Sequence, residues 1–517
     1  MIRKTIFFIL MLIGVWATYA QESDIAYTLG ETRNDQHRYS NLLSIAADGN
    51  GGTVVVRSYF SGIVLKPKGY LVEHYNADME LLSEYNYKLK DSNFVEAYVK
   101  NGQVYLLFLE YNYTKLAYEY QVHRSPFTEF NFTKEILLFI ESDIVEEPLD
   151  RNYYNRNFSS GFTTSVLFND EKSAFAITTH FKKRKEDKHV IHVFDASLRK
   201  LMEHDFSAEV EEKNYAFENI VFSEDLSNAY LVGKAYFKKK RFNAKERKFQ
   251  YELVRISASD KSIQAFDTPD KFPEALKPVF KGNELLCIGF YADRKDNRFN
   301  GIAYYKMEPR TLAIVTEKFN PFSEQFMMDK FGREEEREIT DLVFKGMDIT
   351  NDGHILFNAE EYFTSSSVQS NSSGGRLMIT RYHYNDIVSV KLDPDGDMVW
   401  ARNINKTEVT QGDGAYTSYS SYTKGNNTYF FISTASENPQ QMSAERIMFK
   451  QGLSRNRNIF LIKLDENGHM NFRKAIDNKE VRLPLMVSRP LKDSTKDELI
   501  FYAKRGGKKQ LIQVALN

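Results

Sequence analysis

Cysteine is almost absent from this chain, because Cys287 is the only one among its 517 residues. A single thiol cannot form a disulfide within the chain, so packing alone must hold the fold together, even in an oxidising compartment. Cys287 lies in the apolar segment ELLCIGFY. We therefore expect a small buried core residue there rather than a reactive thiol.

An excess of charge of one sign is also missing, since lysine and arginine number 69 and aspartate and glutamate number 70. A chain without net charge has no overall field to attract nucleic acid or an anionic membrane, so we expect neither as a partner. Hydrophobic residues make up 42% and charged residues 27%, which is typical of a globular protein. The aromatic residues are mostly tyrosine and phenylalanine, which favour β-strands.

Long hydrophobic runs are confined to the N-terminus. Arg3 and Lys4 precede an apolar run over residues 6–15, and small residues surround the Ala20–Gln21 bond. The run is too short for a membrane span, which needs about 20 residues, and the pattern indicates a cleaved secretory signal over residues 1–20. No cysteine follows the expected cut for a lipid anchor, and no later run is long enough to span a bilayer. We expect residues 21–517 to form a single domain in the periplasm or outside the cell.

What the chain does contain is a repeat, in which a short polar turn opens into an apolar strand about every 50 to 75 residues. The turns of the eight copies begin at Asp48, Asn101, Asp170, Glu224, Gly282, Asp352, Gly425 and Lys496. Each unit is too small to bury its own apolar face, so neighbouring units must stack in a closed array. The repeat predicts an all-β fold, a β-propeller.

A second motif accompanies the first, as an alternating strand, a tight turn and an amphipathic strand. The clearest copies begin at Ile387 and Ile459, and Asp393 and Asp465 stand at matching places in them. Each blade should therefore have four antiparallel strands. We expect blades at about 42–90, 91–139, 158–209, 214–268, 274–319, 336–406, 413–478 and 482–517.

The number of blades and the closure of the ring follow from the two ends of this series. Eight blades are expected, with seven as the alternative, because the unit at 91–139 is irregular around Pro126. The last unit lacks one strand, while the segment DIAYTLGE at residues 24–31 has no blade of its own. We predict that this N-terminal strand completes the last blade and so removes an open sheet edge.

Long connections are expected on one face of the propeller only. They join the second and third strands of a blade or cross between blades, at residues 141–159, 182–188, 238–248, 293–300, 321–336, 364–384 and 437–458. The sequence also indicates a short helix within 321–336. Variable loops on a rigid scaffold usually carry binding residues, so this long-loop face is the candidate functional surface.

Aromatic and arginine residues in these connections are the candidate ligand-binding residues. Aromatic rings offer stacking platforms for sugars or anchors for a protein partner, and arginines supply polar contacts. The set comprises Tyr153, Tyr154, Arg156, Arg376, Arg381, Tyr382 and His383.

No catalytic or metal motif stands out. The chain contains no G-x-S-x-G element, and on a strand His189 and His192 would point to opposite faces. Asp393 to Asp397 resembles the start of a calcium loop, but Met398 replaces the required glycine. We predict no catalytic residue, no metal and no cofactor.

Two stretches carry a resemblance to known families. The turns at Asp48-Gly49 and Asp352-Gly353 resemble the S-P-D-G turns of the TolB-like propeller repeat, and the region from residue 341 to 406 resembles secreted propeller-like proteins of Bacteroidota. The resemblance implies a propeller fold and an exported address. It transfers no catalytic residue.

These observations favour an exported, non-enzymatic protein that binds a protein or a glycan through the long-loop face. The alternative is a hydrolase or lyase acting on a glycan or a peptide with carboxylates at the central channel. An enzyme should gather ionisable residues with perturbed pKa values in one funnel, whereas a binding module should show a mostly neutral aromatic patch.

Overall fold

The computed structural model describes most of the chain after residue 23. The described residues are 24–61, 66–89, 92–142, 144–145, 161–183, 186–210, 213–238, 248–266, 268, 270–293, 298–334, 339–370, 376–412, 414–443, 446–453 and 457–517, with backbone only at 66–67, 183, 186, 369–370 and 376–377. The expected signal segment over residues 1–20 lies outside them. The division into residues 1–20 and 21–517 therefore stays a prediction.

The described strands form eight sheets. The N-terminal strands are β1 (Ile25–Leu29) and β2 (Arg33–Asn34). Blade 1 has β3 (Tyr39–Ala47), β4 (Thr53–Ser61), β5 (Lys66–Tyr75) and β6 (Leu81–Tyr87). Blade 2 has β7 (Phe94–Lys100), β8 (Gln103–Asn112), β9 (Ala117–Pro126) and β10 (Thr133–Ile140). Blade 3 has β11 (Phe162–Phe168), β12 (Ala174–Lys183), β13 (Glu186–Asp195) and β14 (Lys200–Asp205). Blade 4 has β15 (Lys213–Phe222), β16 (Asn228–Phe237), β17 (Phe249–Ser257) and β18 (Lys261–Ala265).

The second half continues the same order. Blade 5 has β19 (Phe272–Lys281), β20 (Glu284–Ala292), β21 (Gly301–Met307) and β22 (Ile314–Pro321), and helix α1 (Glu324–Phe331) follows it. Blade 6 has β23 (Leu342–Ile349), β24 (Ile355–Ser370), β25 (Arg376–Leu392) and β26 (Met398–Ile404), extended by β27 (Lys406–Thr410), β30 (Gln440–Gln441) and β31 (Ile447–Lys450). Blade 7 has β28 (Tyr419–Lys424), β29 (Asn427–Ala435), β32 (Arg457–Leu464) and β33 (Met470–Ile476), after a 3₁₀ turn at Gly414–Tyr416. The closing sheet has β34 (Leu491–Asp493), β35 (Glu498–Arg505) and β36 (Lys508–Leu516) with β1 and β2.

The predicted β-propeller of four-stranded antiparallel blades is confirmed. Of the two expected blade numbers, the alternative of seven matches rather than eight, because seven blades of four antiparallel strands lie in the ring and the closing sheet combines strands from both ends of the chain. The repeat was readable because the second and third strands of a blade are covered on both faces by neighbouring sheets, which requires nearly continuous apolar runs. In β20 every residue after the first is buried, including Cys287, and burial raises the pKa of this thiol.

Apolar clusters between successive sheets hold the ring together. One cluster joins blades 1 and 2 through Val56 and Leu106, and another joins blades 5 and 6 through Ile288 and Phe357. Equivalent clusters join each remaining pair, and the last one packs the closing sheet against blade 1. Every sheet therefore buries both faces only when the ring is complete.

Two connections differ from the expectation of long loops. Residues 182–188 lie mostly in β12 and β13, and residues 364–384 lie mostly in the long hairpin of β24 and β25. The polar composition of TSSSVQS predicts a loop, but its β-branched and hydroxyl residues pair across the hairpin. For example, the hydroxyl oxygens of Ser366 and Thr380 lie 3.2 Å apart. The expected helix in 321–336 is confirmed as α1, capped by the Ser323 side chain and ended by Gly332.

Ring closure by the N-terminal strand is confirmed as well. Strand β1 pairs antiparallel with β36, from Ile25 opposite Leu516 to Leu29 opposite Ile512. The pairing continues where the amide of Gly30 donates to the carbonyl of Leu511 at 3.0 Å. The first described strand thus covers the last sheet edge of the chain.

A buried ionic group, here called the closure cluster, lies at the same seam and comprises Asp35, Arg57, Glu73, Lys504 and Lys509. Arg57 donates to Glu73 at 2.9 Å and to Asp35 at 2.8 Å. Lys509 donates to Glu73 at 3.1 Å, and Lys504 donates to Asp35. Burial alone would raise the pKa of Glu73, but the charges of Arg57 and Lys509 outweigh it and hold that pKa below its usual value. The cluster ties blade 1 to both chain ends.

Removing the central cation of this cluster should destabilise the protein strongly. We expect Arg57→Met to lower the free energy of unfolding by about 3–5 kcal/mol, because two carboxylates would remain buried without their main partner. The control is Arg124→Met, which breaks an exposed pair with Glu135 and should cost at most about 1 kcal/mol. Chemical denaturation of both variants measures the difference, and equal losses would contradict the assigned role.

Deleting the closing strand should open the ring. A chain starting at residue 32 loses β1 and should be less stable than one starting at residue 24, by at least about 1.5–3 kcal/mol from the lost burial of Ile25 alone. It should also self-associate, because the edge of β36 becomes free. Thermal unfolding and light scattering check both effects, and an unchanged monomer would show that β1 is dispensable.

Candidate functional site

The first strands of the blades surround the centre of the ring, and several of them carry a β-bulge at the same level. First strands of neighbouring sheets contact one another, as β3 does with β7 and β34, and β19 does with β15 and β23. Register shifts interrupt the pairing of β3, β7, β15, β19 and β23 with their second strands. A bulge redirects a side chain from its regular face. Glu218 and Lys345 are such bulge residues, and each lines a cavity at the long-loop end of the channel.

The first of these, the cationic cavity, has a volume of about 340 Å³ and lies between blades 6 and 7 and the closing sheet. Its walls come from the starts of the first strands and from the hairpin of blade 6. The lining residues are Lys345, Tyr384, Gly414, Ser418, Tyr419, Ser420, Ser421, Ser488, Arg489, Pro490 and Lys492. This described lining contains three cations and no carboxylate.

A buried carboxylate positions the wall of this cavity. Glu360 lies 3.0 Å from the ammonium of Lys345, 2.9 Å from that of Lys406, and accepts a hydrogen bond from the Ser418 hydroxyl at 2.7 Å. Burial would raise the pKa of Glu360, but Lys406 and Lys345 outweigh it and lower that pKa. Glu360 therefore stays ionised and holds these groups in place.

The backbone at Ser418 is held in a strained conformation. Its φ of 67° lies in the left-handed region, which non-glycine residues rarely adopt. The Ser418 amide donates to buried Glu408 at 2.8 Å, so two carboxylates secure this residue. Two positions later, Ser420 is only 5% exposed, and its hydroxyl has no hydrogen-bond partner among the described residues. Such an unpaired buried hydroxyl is uncommon and marks the start of this strand as irregular.

Arg489 and Lys492 give the cavity its charge. The Arg489 guanidinium donates to the carbonyl of Leu42, and within the described part of the chain neither cation forms an ion pair. Desolvation lowers the pKa of Lys492, and the more distant charges of Asp348 and Asp170 compensate only in part. Solvent in the channel reaches this side chain, but surrounding protein crowds it. The arrangement gives the cavity a positive potential, which suits an anionic group.

The second cavity, here called the mixed cavity, has a volume of about 400 Å³ and lies between blades 4, 5 and 6. Lys234 lies 2.5 Å from Glu274 and 3.4 Å from Glu218 in its wall. The Tyr251 hydroxyl donates to Glu218 at 2.6 Å. Burial raises the pKa of Tyr251 well above its usual value, and both carboxylates raise it further. Lys234, Glu218, Glu274 and Tyr251 are thus linked to one another, and the phenol stays protonated.

A tyrosine pair separates the two cavities. Tyr362 lines the mixed cavity and Tyr384 lines the cationic one, with ring centroids 5.1 Å apart across the hairpin of blade 6. The Lys345 ammonium lies 5.9 Å and 5.6 Å from the two ring centroids. The channel mouth therefore presents aromatic surface between a cationic and a mixed subsite.

The structure brings only part of the predicted binding set to this mouth. Tyr382 and Tyr384 lie on the same face of β25. Burial raises the pKa of Tyr362, and the charge of Tyr382 raises it further. Arg381 and His383 occupy the opposite face.

On that opposite face, the two side chains are engaged by the hairpin itself. Arg381 donates to Ser367 at 2.9 Å, and His383 lies 2.8 Å from the Ser365 hydroxyl. The His383 ring also stacks on Phe363 at 4.4 Å.

The remaining members of the predicted set are Tyr153, Tyr154 and Arg156, which lie outside the described residues, and Arg376, which is described only in its backbone. A binding role for the set as a whole stays a prediction. Sequence reasoning missed Lys345, because a bulge breaks the alternation that assigns faces to its strand. It also missed Ser420, Arg489 and Lys492, which carry no motif. Their one shared signal is a position within or just before a first strand, ahead of a repeated turn.

The turn that resembled a calcium loop serves a hairpin instead. The Asp393 carboxylate accepts hydrogen bonds from the amides of Asp395 at 3.0 Å and Asp397 at 2.8 Å. In the part of the chain that the structure describes, no group of three or more histidine, cysteine, aspartate or glutamate side chains is placed to hold a metal. The same part contains no helix with the length and apolarity to cross a bilayer.

Comparison with known proteins finds no matching family model and no matching curated protein. Among solved structures, the chain is similar to the β-propeller domain of the Trilobed protease from Pyrococcus furiosus, at a TM-score of 0.36 and 10% identity over 85% of this chain and 96% of that chain. It is also similar to the polysaccharide lyase Uly1, at a TM-score of 0.35 and 8% identity over 94% of this chain and 99% of that chain. A third similar structure is Drosophila Plexin A in complex with Semaphorin 1b, at a TM-score of 0.34 and 8% identity over 94% of this chain and 88% of that chain. These similarities assign no activity, and the resemblance to TolB-like repeats and Bacteroidota proteins stays a prediction.

The crowded ammonium of Lys492 should titrate below the ordinary lysine value of 10.5. Competitive acylation across a pH series, read by mass spectrometry, measures its midpoint. In an Asp348→Asn variant the midpoint should fall further, because a charge that favours the protonated form is removed. A midpoint at or above 10.5 in the parent, or a rise in the variant, would contradict the described environment.

Proposed function

We propose that this protein is an exported, non-enzymatic binding module that holds an acidic glycan at the long-loop mouth of its central channel. The observation that carries the proposal is the cationic cavity, in which Arg489 and Lys492 have no carboxylate partner among the described residues. Neighbouring cations without a carboxylate partner favour an anionic ligand, because they give the cavity a positive potential and can form charge-assisted hydrogen bonds with the ligand. Export from the cell is part of the proposal and is supported by the N-terminal sequence pattern.

The rest of the mouth favours a sugar as the carrier of the anionic group. Four serines line the cationic cavity, and the Ser420 hydroxyl is unpaired among the described residues. Tyr362 and Tyr384 supply aromatic faces directly beside the cations. Hydroxyl donors and acceptors, aromatic faces and a cation together suit a uronate unit, which has ring hydroxyls, an apolar ring face and a carboxylate.

The test is titration of the purified protein with oligogalacturonates and with their fully methyl-esterified counterparts of equal length. We expect binding of the acid form only, because esterification removes the carboxylate and leaves the ring. Lys492→Ala should weaken binding about tenfold or more, the usual size of a lost hydrogen bond to a charged group. Tyr382→Ala should weaken it less, because that ring lies beside the tyrosine pair. Calorimetry measures each affinity.

Matched controls separate the site from general electrostatics. Lys496→Ala removes a cation from the turn at the other end of the same sheet and should leave affinity unchanged. Rising salt should weaken binding by the parent, because the contact is ionic. Equal binding of acid and ester, or equal loss in Lys492→Ala and Lys496→Ala, would overturn the proposal. A protein captured at the same cavity in place of a glycan would overturn the sugar assignment.

The alternative of a glycan- or peptide-acting hydrolase or lyase has one observation in its favour. Glu218 and Glu274 approach the same lysine in the mixed cavity, which adjoins the tyrosine pair. Against it, Lys234 is kept protonated, because the two carboxylates outweigh its burial and raise its pKa. Product analysis in the titrated samples decides between the two, since shortened or unsaturated oligosaccharides would favour the enzyme.

A further inference from the structure

The hairpin of β24 and β25 extends beyond the ring as a two-stranded arm. Among the described strands, β23 pairs with β24 only as far as Glu361, and β27 pairs with β25 only over residues 382–384. The two hairpin strands, in contrast, pair with each other as far as Ser370 and Arg376. The arm therefore begins at the tyrosine pair of the channel mouth.

One face of the arm continues the face of the tyrosine pair. Residues directly opposite each other in an antiparallel pair share a face, and every second pair returns to that face. No register shift interrupts the described pairing outward from Tyr362, so three further pairs follow on the same face. These pairs are Thr364 with Tyr382, Ser366 with Thr380 and Val368 with Met378, and their six residues are here called the arm face. At about 3.3 Å per residue, the tyrosine pair and the arm face together span about 20 Å.

The opposite face of the arm is closed by its own side chains. The His383 ring stacks on Phe363 and lies 2.8 Å from the Ser365 hydroxyl. Arg381 donates to the Ser367 hydroxyl at 2.9 Å. These contacts hold the two strands together, so the described polar and aromatic groups of this face are already engaged.

The arm face, in contrast, is open and carries no charged side chain. Thr364 and Ser366 are exposed, and at the tip Val368 and Met378 are 63% and 58% exposed. The hydroxyl oxygens of Ser366 and Thr380 lie 3.2 Å apart, and one such contact leaves both groups with further hydrogen-bonding capacity. The arm face therefore offers hydroxyl groups and apolar surface to a ligand.

We propose that the acidic glycan at the channel mouth is a polymer whose chain continues from the cationic cavity along the arm face. This inference rests on the proposed function and adds the length of the ligand to it. Successive sugar units present ring hydroxyls and apolar ring faces, which suit the tyrosine ring, the hydroxyl groups and the apolar side chains of the arm face. A short acidic sugar would fill the cationic cavity only, whereas a chain of several units covers both surfaces.

The composition of the arm face favours a glycan chain over a protein partner. A protein interface has a buried centre that is rich in apolar and aromatic residues. The arm face has two apolar side chains, Val368 and Met378, which both lie at its tip, and one aromatic residue, Tyr382, which lies at its base. The positions between them carry hydroxyl groups, which suit a ligand that itself has many hydroxyls.

The experiment compares digalacturonate with hexagalacturonate by calorimetric titration of the parent protein and of a shortened variant. In that variant an Asn-Gly turn replaces residues 366–380 and joins Ser365 to Arg381, its direct partner across the hairpin. Both proteins should bind the dimer equally. The gain in affinity from dimer to hexamer should be about tenfold larger in the parent, because only the parent retains the outer arm face. A longer chain offers more binding registers to both proteins, so comparing the two gains removes that statistical effect.

Point variants separate the two faces of the same sheet. Val368→Ser should lower hexamer affinity about fivefold and leave dimer affinity unchanged, because it removes apolar surface at the tip only. The matched control is Val409→Ser, which should change neither affinity. Val409 is 40% exposed and lies opposite His383, and therefore on the closed face. Lys492→Ala should lower both affinities by the same factor, because it acts in the cationic cavity.

The outcomes distinguish this inference from the function on which it rests. Equal length gains in the parent and the shortened variant, or equal effects of Val368→Ser and Val409→Ser, would overturn the inference and leave the proposed function intact. If neither oligomer binds the parent, the proposed function fails and the inference fails with it. Circular dichroism checks the fold of the shortened variant. The point variants are informative even if that variant does not fold, because both valines are exposed.

Discussion

The seam between the two chain ends is the constraint on which the rest of the structure depends. Each sheet buries both faces only against neighbours, so one missing contact exposes apolar surface on two sheets at once. At the seam this contact rests on the pairing of β1 with β36 and on the closure cluster around Arg57. Without a disulfide to tie the ends, backbone hydrogen bonds and a buried ionic group must provide the connection.

Closure of the ring also explains where chemistry accumulates. Around the axis the first strands of neighbouring sheets contact one another, and bulges in several of them turn side chains away from the sheet interfaces. Glu218 and Lys345 reach cavities at the channel mouth in this way. The strained backbone at Ser418, held by Glu360 and Glu408, is a further departure from regular geometry at the same level. The rigid outer strands thus support an irregular interior.

The sequence was sufficient for the architecture and insufficient for the site, for a physical reason. Strands buried on both faces need apolar runs such as ELLCIGFY, so the repeat and the closing strand at residues 24–31 could be identified directly. Bulges add one residue and reverse the alternation that assigns faces, so Lys345 could not be placed in a cavity from its spacing. The polar composition of TSSSVQS likewise predicted a loop, whereas these residues form a strand whose hydroxyl side chains pair across a hairpin. Tyr382 was placed near the mouth by its aromatic cluster alone.

The contrast between two groups of cations gives the strongest reason to locate function at the channel mouth. In the closure cluster, three cations meet the carboxylates of Asp35 and Glu73, and Lys509 also contacts Glu84. Such an arrangement balances its charges inside the protein and contributes to stability. At the cationic cavity, Glu360 engages Lys345, while the described neighbours of Arg489 and Lys492 include no ion-paired carboxylate. These two solvent-exposed positive groups without an ion-pair partner give the mouth a positive potential, which favours an anionic ligand.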